Sequence, residues 1–393
     1  MREGWTYKKL GEVCTSITDG SHNPPKGIEH SEYRMISSQN IFDDDLRIND
    51  ETVRFLTEED HYKEDKRTKL SKDVVLLTIV GTIGRACVLA GTEGFLTLQR
   101  SVAALKPSEK VDSRFLMHCL IGNRGRLNQE AHGIAQRGIY LRQLSELDIP
   151  IPPLSEQQSI VAELDKINEL ISLKKAQLSD LDSLAQSIFY DMFGDPIENE
   201  KGWEVKELEE MCSCITKGTT PTTLGFSFTE KGINFVKVES FIDGHIDHSK
   251  LAHITYECNM ALLRSQLRDE DLLICIAGAT IGKMAVVDTS ILPANTNQAC
   301  AIVRLKDKNN LRFLHAFIAL KLKEYVIQMG KGVAQPNLSL GQLRKLIIFC
   351  PPLSLQQDFA KRIELIEQQK AQISSTIKDL ETLLASRMQY WFD

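Results

Sequence analysis

A chain of 393 residues with an apolar fraction of 42% can bury two or more cores, and it has no long uncharged apolar run, which argues against a membrane span. Nine scattered cysteines with no CxxC pair support neither a zinc site nor a disulfide framework, so buried reduced thiols are expected. The net charge of −6 is permissive, because the acidity is local: residues 151–202 hold 4 basic and 10 acidic side chains, whereas residues 1–150 hold 21 and 22 and residues 203–352 hold 17 and 15.

The opening residues Met1-Arg2-Glu3-Gly4-Trp5 lack the apolar core of a signal peptide, so the cytoplasm is the expected compartment. Residues 1–152 then read as a module of mixed helix and strand, with short β-type runs such as 73–79 separated by glycine turns. Pro150-Ile151-Pro152-Pro153 stops this module. Ser155-Glu156-Gln157-Gln158 follows, where serine and a glutamine three residues on suggest a capping box at a helix start. The helix predicted over 153–194 carries a heptad seam at Ile160, Leu164, Ile167, Ile171, Lys174, Leu178, Leu181, Ala185, Ile188 and Met192. Gly194-Asp195-Pro196 ends it, and 195–202 is a linker.

The rest of the chain is the first half again. Trp5, Leu10, Cys14, Ile17-Thr18 and Gly20 recur 198 residues later as Trp203, Leu208, Cys212, Ile215-Thr216 and Gly218. Thr82-Ile83-Gly84-Arg85 returns as Thr280-Ile281-Gly282-Lys283. Further on the offset is 199, and GIAQRGIYLRQL (133–144) matches GVAQPNLSLGQL (332–343). A second module is therefore predicted over 203–352, and a second helix over 353–393. Its seam runs through Phe359, Ile363, Ile366, Lys370, Ile373, Ile377, Leu380, Leu384, Arg387 and Trp391. A register preserved to this degree indicates tandem duplication. The fold expected is α+β: two tandem-duplicated mixed α/β domains separated by two long helices that form an antiparallel coiled coil. Roughly 38 residues at 1.5 Å each make a rod of about 55 Å. That exceeds the roughly 34 Å turn of a DNA duplex, so the pair could act as a ruler.

The duplicated set of Trp-x-x-x-x-Leu, Thr-Ile-Gly-Arg/Lys, Gly-x-Ala-Gln before Gln-Leu, and Pro-Pro-Leu-Ser-x-Gln-Gln, each half ending in a coiled-coil helix, resembles the specificity subunit of type I restriction–modification systems. The helix end Phe189-Tyr190-Asp191-Met192-Phe193-Gly194-Asp195-Pro196 fits the same family. The resemblance covers essentially the whole chain. It implies two target-recognition domains reading the halves of a split double-stranded DNA target. It also implies paired helices that dock two methyltransferase subunits, with motor endonuclease (restriction) subunits joining the complex. The chain itself would be non-catalytic and bind no cofactor; S-adenosylmethionine, ATP and magnesium would sit on the partners.

Base reading needs side chains such as arginine, asparagine and glutamine, while phosphate contact needs cations, hydroxyls or free backbone N–H groups. Candidates in the first module are His22, Lys26, Gln39, Asn40, Arg85, Gln136 and Arg137; in the second they are Thr219, Thr220, Lys237, Lys283, Gln335 and Asn337. Gln136 and Gln335 are common to both halves and could equally tie down a loop, and Arg85 and Lys283 follow turn glycines and suit phosphate. The frames agree and the interiors differ, Ser37-Ser38-Gln39-Asn40 standing opposite Lys237-Val238-Glu239-Ser240, so an asymmetric target is expected.

Other classes fit less well. Asp60, Glu64 and Lys66 mimic the spacing of a nuclease centre, but their surroundings read as an exposed helical face and the second half has no counterpart. Asn23-Pro24-Pro25 lacks the following aromatic of an amino-methyltransferase loop, and no glycine-rich turn after a strand offers a nucleoside cofactor site. His245, His248 and His253 read as surface histidines. A structural adaptor bridging protein partners through the coiled coil remains the alternative from another class.

Overall fold

The computed structural model describes residues 4–91, 94–131, 137–242, 244–278, 280–308, 311–329 and 337–392. It forms two compact units, residues 1–176 with 374–393, and residues 177–373.

The first unit contains β1 (Thr6–Lys9), α1 (Leu10–Val13), β2 (Cys14–Asp19), β3 (Arg34–Ile36), β4 (Ile41–Phe42), β5 (Asp45–Leu46), β6 (Arg54–Phe55) and α2 (Glu58–Thr68). It continues with β7 (Val75–Thr78), β8 (Ala86–Val88), β9 (Leu96–Leu98), β10 (Val102–Pro107), α3 (Ser113–Gly122), α4 (Arg124–Gln129), α5 (Leu141–Ser145) and β11 (Asp148–Ile151). Helix α6 (Leu154–Phe193) begins in this unit and ends in the other. Four antiparallel strands lie in the order β2-β10-β7-β8; a smaller sheet, β6-β3-β9, pairs β3 with β9 in parallel. β1 pairs with β11, and β4–β5 is a hairpin.

The second unit repeats every sheet. Its strands are β12 (Val205–Glu207), β13 (Cys212–Lys217), β14 (Ile233–Val236), β15 (Phe241–Ile242), β16 (His245–Ile246), β17 (Ala252–Ile254), β18 (Leu272–Cys275), β19 (Met284–Val286), β20 (Ala294–Thr296), β21 (Cys300–Leu305) and β22 (Ile347–Phe349). Its helices are α7 (Leu208–Met211), α8 (Tyr256–Ala261), α9 (Leu311–Met329) and α10 (Leu340–Arg344); α11 (Leu353–Phe392) starts here and finishes in the first unit. The sheets are β13-β21-β18-β19, β17-β14-β20 with β14 parallel to β20, β12-β22 and β15-β16.

The apolar run at β7 is continuous because both of its faces are covered. Val75, Leu77 and Ile79 face one core with Phe115 and Leu116, while Val74 and Leu76 face another with Ile36 and Leu98. In the second unit Leu272, Ile274 and Ile276 divide from Leu273 and Cys275 in the same way. All nine cysteines are free, and burial pushes the thiols of Cys14, Cys119, Cys212 and Cys300 up to about 12, so they stay protonated.

The helix pair is antiparallel in each unit. In the first, Glu163 of α6 accepts from Arg387 and Trp391 of α11, and Lys175 meets Glu381 at 3.0 Å. In the second, Asp182 accepts from Lys370 at 2.6 Å. Ile160, Leu164, Ile167, Ile171, Phe359, Ile366 and Ile377 are buried, and Leu178, Leu181, Ile188, Ile363, Ile373, Leu380 and Leu384 are half-buried.

Two details differ from expectation. α6 starts at Leu154, so Ser155 lies inside the first turn and no capping box forms there. The residue that fixes this helix start is Gln157, fully buried. Its Oε1 accepts from the Asp112 N–H at 2.9 Å, and its Nε2 donates to the Lys110 and Pro152 carbonyls. At the far end Phe189, outside the heptad, is the buried residue, together with Phe193; Ile188 and Met192 only flank them.

Candidate nucleic-acid interface

In each unit, loops from several strand ends are tied together at one place. β2 runs into Gly20, where a Cβ would fall inside the Leu98 carbonyl, so only glycine lets the two chains cross. Past the crossing, the Ser21 N–H donates to Leu98 O at 2.8 Å and the Arg100 N–H to Ser21 O at 2.9 Å. The Ser38 N–H donates to Ser101 Oγ at 3.1 Å, and the Gly81 N–H to the Arg137 carbonyl at 3.3 Å. Segments 19–22, 37–40, 80–85, 99–101 and Arg137 thus form one cluster. Beside it Gln39, Arg47, Arg54 and Gln99 line a concavity of about 410 Å³.

The second unit builds the same cluster with other side chains. Gly218 crosses beneath the Thr296 carbonyl, and Thr219 N–H donates to Thr296 O at 3.2 Å. Thr220 donates from its backbone (3.1 Å) and hydroxyl to Gln298 Oε1. Asn337 bridges to Ala277, as Gly138 does to Val80 in the first unit.

A family model for the type I restriction modification DNA specificity domain matches residues 2–182 and again residues 200–382. The chain belongs to this family. Among its relatives, the EcoBI specificity subunit of Escherichia coli is 24% identical over 300 residues, covering 70% of this chain and 62% of the relative. The MjaIX specificity subunit of Methanocaldococcus jannaschii is 26% identical over 250 residues, 56% of this chain and 54% of the relative. The chain therefore spans less than two thirds of these two relatives; against the EcoKI specificity subunit of E. coli K12 the match is 20% over 404 residues, 93% and 82% of the two chains. The fold is shared with the type I S subunit from M. genitalium, at a TM-score of 0.54 and 14% identity over 98% of this chain and 95% of that one. It is also shared with a chain from structures describing complex assembly and conformational transition of the type I R-M system, at a TM-score of 0.59 and 18% identity over 100% and 98%.

Within these two specificity domains, the structure sorts the sequence-derived candidates. Gln39 is exposed and lines the concavity. Asn40 is not free to read a base: its Oδ1 accepts from the Ser37 N–H (2.9 Å) and its Nδ2 donates to the Arg47 carbonyl (3.0 Å). Ser240 holds the equivalent turn with its hydroxyl, donating to Lys237 O at 2.6 Å. Arg85 is half-buried with its guanidinium 5.1 Å from the centre of the Phe42 ring, a cation–π position. Lys283 is exposed. Arg137 is exposed but bonds the Asn128 carbonyl (2.8 Å) at the end of α4.

His22 is held by Asp19 at 2.7 Å, beside the crossing, and Asp19 also takes Arg67. Lys26 is exposed. The Lys237 ammonium lies 4.2 Å from the centre of the Phe228 ring, and Thr220 is engaged by Gln298 as above. Gln136 and Gln335 lie outside the described residues. Asp60, Glu64 and Lys66 sit on helix α2, where Thr57 caps the Asp60 N–H. Gln99, Arg100 and Gln298 were missed. The 198-residue register places Gln99 opposite Asn297 and Arg100 opposite Gln298, so no identity between the halves marks them. Among the described residues no helix is long and apolar enough to cross a membrane.

Proposed function

We propose that this chain reads a split, asymmetric double-stranded DNA target, each specificity domain taking one half-site with its strand-end loop cluster. The observation that carries this reading is a shared frame with unlike loop side chains: His22, Gln39, Gln99 and Arg100 in one domain stand against Thr220, Glu239, Asn297 and Gln298 in the other. Glutamine amides and arginine guanidinia around a concavity are suited to base edges, and the two frames place Gln99 opposite Asn297 and Arg100 opposite Gln298.

In this reading the chain is non-catalytic and works in the cytoplasm. The helix pair docks two methyltransferase subunits, restriction motor subunits complete the complex, and S-adenosylmethionine, ATP and magnesium act on those partners. Single-molecule methylation mapping with and without the gene tests it. Loss of methylation at a split motif with an unread centre is the expected result. An unchanged methylome from an expressed operon would overturn it in favour of a protein-bridging adaptor. Within the motif, Gln99→Ala should relax one position of one half-site by about 1–3 kcal/mol of discrimination, and Gln298→Ala one position of the other.

A further inference from the structure

The hairpin apex of each unit sits over the first turns of a helix, and the two units treat that place differently. In the first unit Asp44, at the apex of β4–β5 with φ of 58°, accepts from Arg114 of α3 at 2.7 Å. Arg114 also forks onto Asp165 of α6 (2.6 and 2.8 Å), which accepts from the buried His118 at 2.7 Å. In the second unit the corresponding apex residue is Gly244, the residue aligned with His118 is Ala316, and that aligned with Val161 is Ala360. Three truncations leave a cleft of about 750 Å³ whose walls include Gly244, Ala316 and Ala360.

The groups left unengaged on the walls share one character. Lys308 pairs with Glu270 at 2.6 Å and lies 4.0 Å from Asp269; Asp288 accepts from Ser290, and Glu367 takes Nη1 of Arg312. Every wall carboxylate is thus engaged. Arg312 Nε and Nη2 and the Lys361 ammonium, by contrast, have no partner among the described residues. His315 Nε2 is buried with no hydrogen-bond partner, a costly state for a polar atom unless something binds it. A Cβ built on Gly244 would stand 3.7 Å from that Nε2 and 3.6 Å from Cε1, at ordinary contact distance. A carboxylate at this apex would therefore reach the imidazole much as Asp44 reaches Arg114.

We propose that this cleft is a binding site for a carboxylate, contributed by an acidic side chain of a polypeptide or by a free small dicarboxylate. It binds in the place that the chain's own Asp44 carboxylate fills in the first unit, with His315, Arg312 and Lys361 as donors. This inference does not depend on the DNA reading.

The test follows the His315 Cε1–H resonance of the full chain, assigned through His315→Gln, during titration with glutarate, with acetyl-Gly-Glu-Gly-amide, and with chloride as control. A saturable shift is expected with a Kd on the order of millimolar. His315→Gln, read by calorimetry, should weaken binding about tenfold. Gly244→Asp installs the missing carboxylate at φ of 80°, in the left-handed region that Asp44 occupies at 58°. It should abolish the shift and raise Tm by about 2–4 °C. A response to the peptide alone identifies a polypeptide side chain as the source, and a response to glutarate a free ligand. No shift with either probe, an equal shift with chloride, or binding that survives Gly244→Asp would overturn the proposal.

Discussion

The two specificity domains hold their helix pair by different chemistry. In the second unit the last turns of α6 place Phe189 and Phe193 among Phe313, Phe317 and Phe359. The ring centroids of Phe193 lie 4.8 Å from Phe313 and 5.3 Å from Phe359. In the first unit the last turns of α11 bring Phe392 edge-on to Phe115 at 5.7 Å and Trp391 parallel to Trp5 at 6.3 Å, and charged groups complete the joint. Arg114, His118 and Asp165 link α3 to α6, while Glu163 accepts from Arg387 and Trp391. One duplicated frame thus has an apolar lock in one copy and a polar lock in the other. An apolar lock should be strong and indifferent to pH, and a polar one weaker and acid-sensitive.

The largest effect should come from the apolar lock. Phe193→Ala removes a fully buried ring whose neighbours are rigid aromatics, and about 3–5 kcal/mol of stability should go with it. Phe392→Ala, in a shallower site at the other helix end, should cost about half as much. Denaturant unfolding of the two variants measures the difference. Equal losses would mean that the two joints are energetically alike despite their composition.

Next comes the ion network. Asp165→Ala strands a buried His118 and leaves Arg114 only Asp44, and should cost about 2 kcal/mol, reduced because Arg114 and Asp165 are partly exposed. The aligned Glu364→Ala removes an exposed side chain and should change stability by less than about 0.5 kcal/mol. The network also has a pH signature. Burial alone would raise the Asp165 carboxyl, but hydrogen bonds from His118 and Arg114 outweigh it and hold the pKa at about 2. A folded-state pKa below the unfolded value of about 3.9 stabilises the protein above that value, and the contribution is lost as pH falls from about 4 through 2. About 2 kcal/mol should vanish over that window in the parent chain and be absent from the acid limb of Asp165→Asn.

The sequence made the duplication, the two long helices and the doubly buried central strands legible, because each is a pattern that repeats or alternates along the chain. What it hid were choices among chemically equivalent uses of one residue. Asn40 carries base-reading groups, yet an amide three residues after Ser37 can close the turn internally, and it does; only Ser240 doing the same work in the other copy hints at this. The heptad missed Phe189 because the module's own aromatics draw that helix face inward, so the end of α6 serves a domain core as well as a helix seam. Ser155 and Gln158 satisfied the spacing of a cap, but Gln157, pointing into the module, fixes the helix start through long-range bonds that no local pattern records. Gln99 and Gln298 leave no mark in the sequence because the two copies differ there, Gln99 standing opposite Asn297 and Arg100 opposite Gln298.

The smallest stability effect tests the comparison at its most exposed point. Glu163 accepts from Arg387 and from the Trp391 indole N–H at 3.1 Å, and these bonds, chiefly Arg387's, hold its carboxyl below the usual range. Glu163→Ala should therefore cost about 1 kcal/mol, since three charge-assisted bonds at a partly exposed site are lost together. The residue aligned with it is Arg362, whose ion pair is the exposed one-turn contact with Asp358 at 3.1 Å. Arg362→Ala should cost no more than about 0.5 kcal/mol. A double-mutant cycle of Glu163→Ala with Arg387→Ala should give a coupling near 1 kcal/mol, and the cycle of Arg362→Ala with Asp358→Ala one near zero. Equal couplings would show that the polar lock is ordinary surface charge, leaving Trp5, Trp391 and Phe392 to hold the first joint by packing alone.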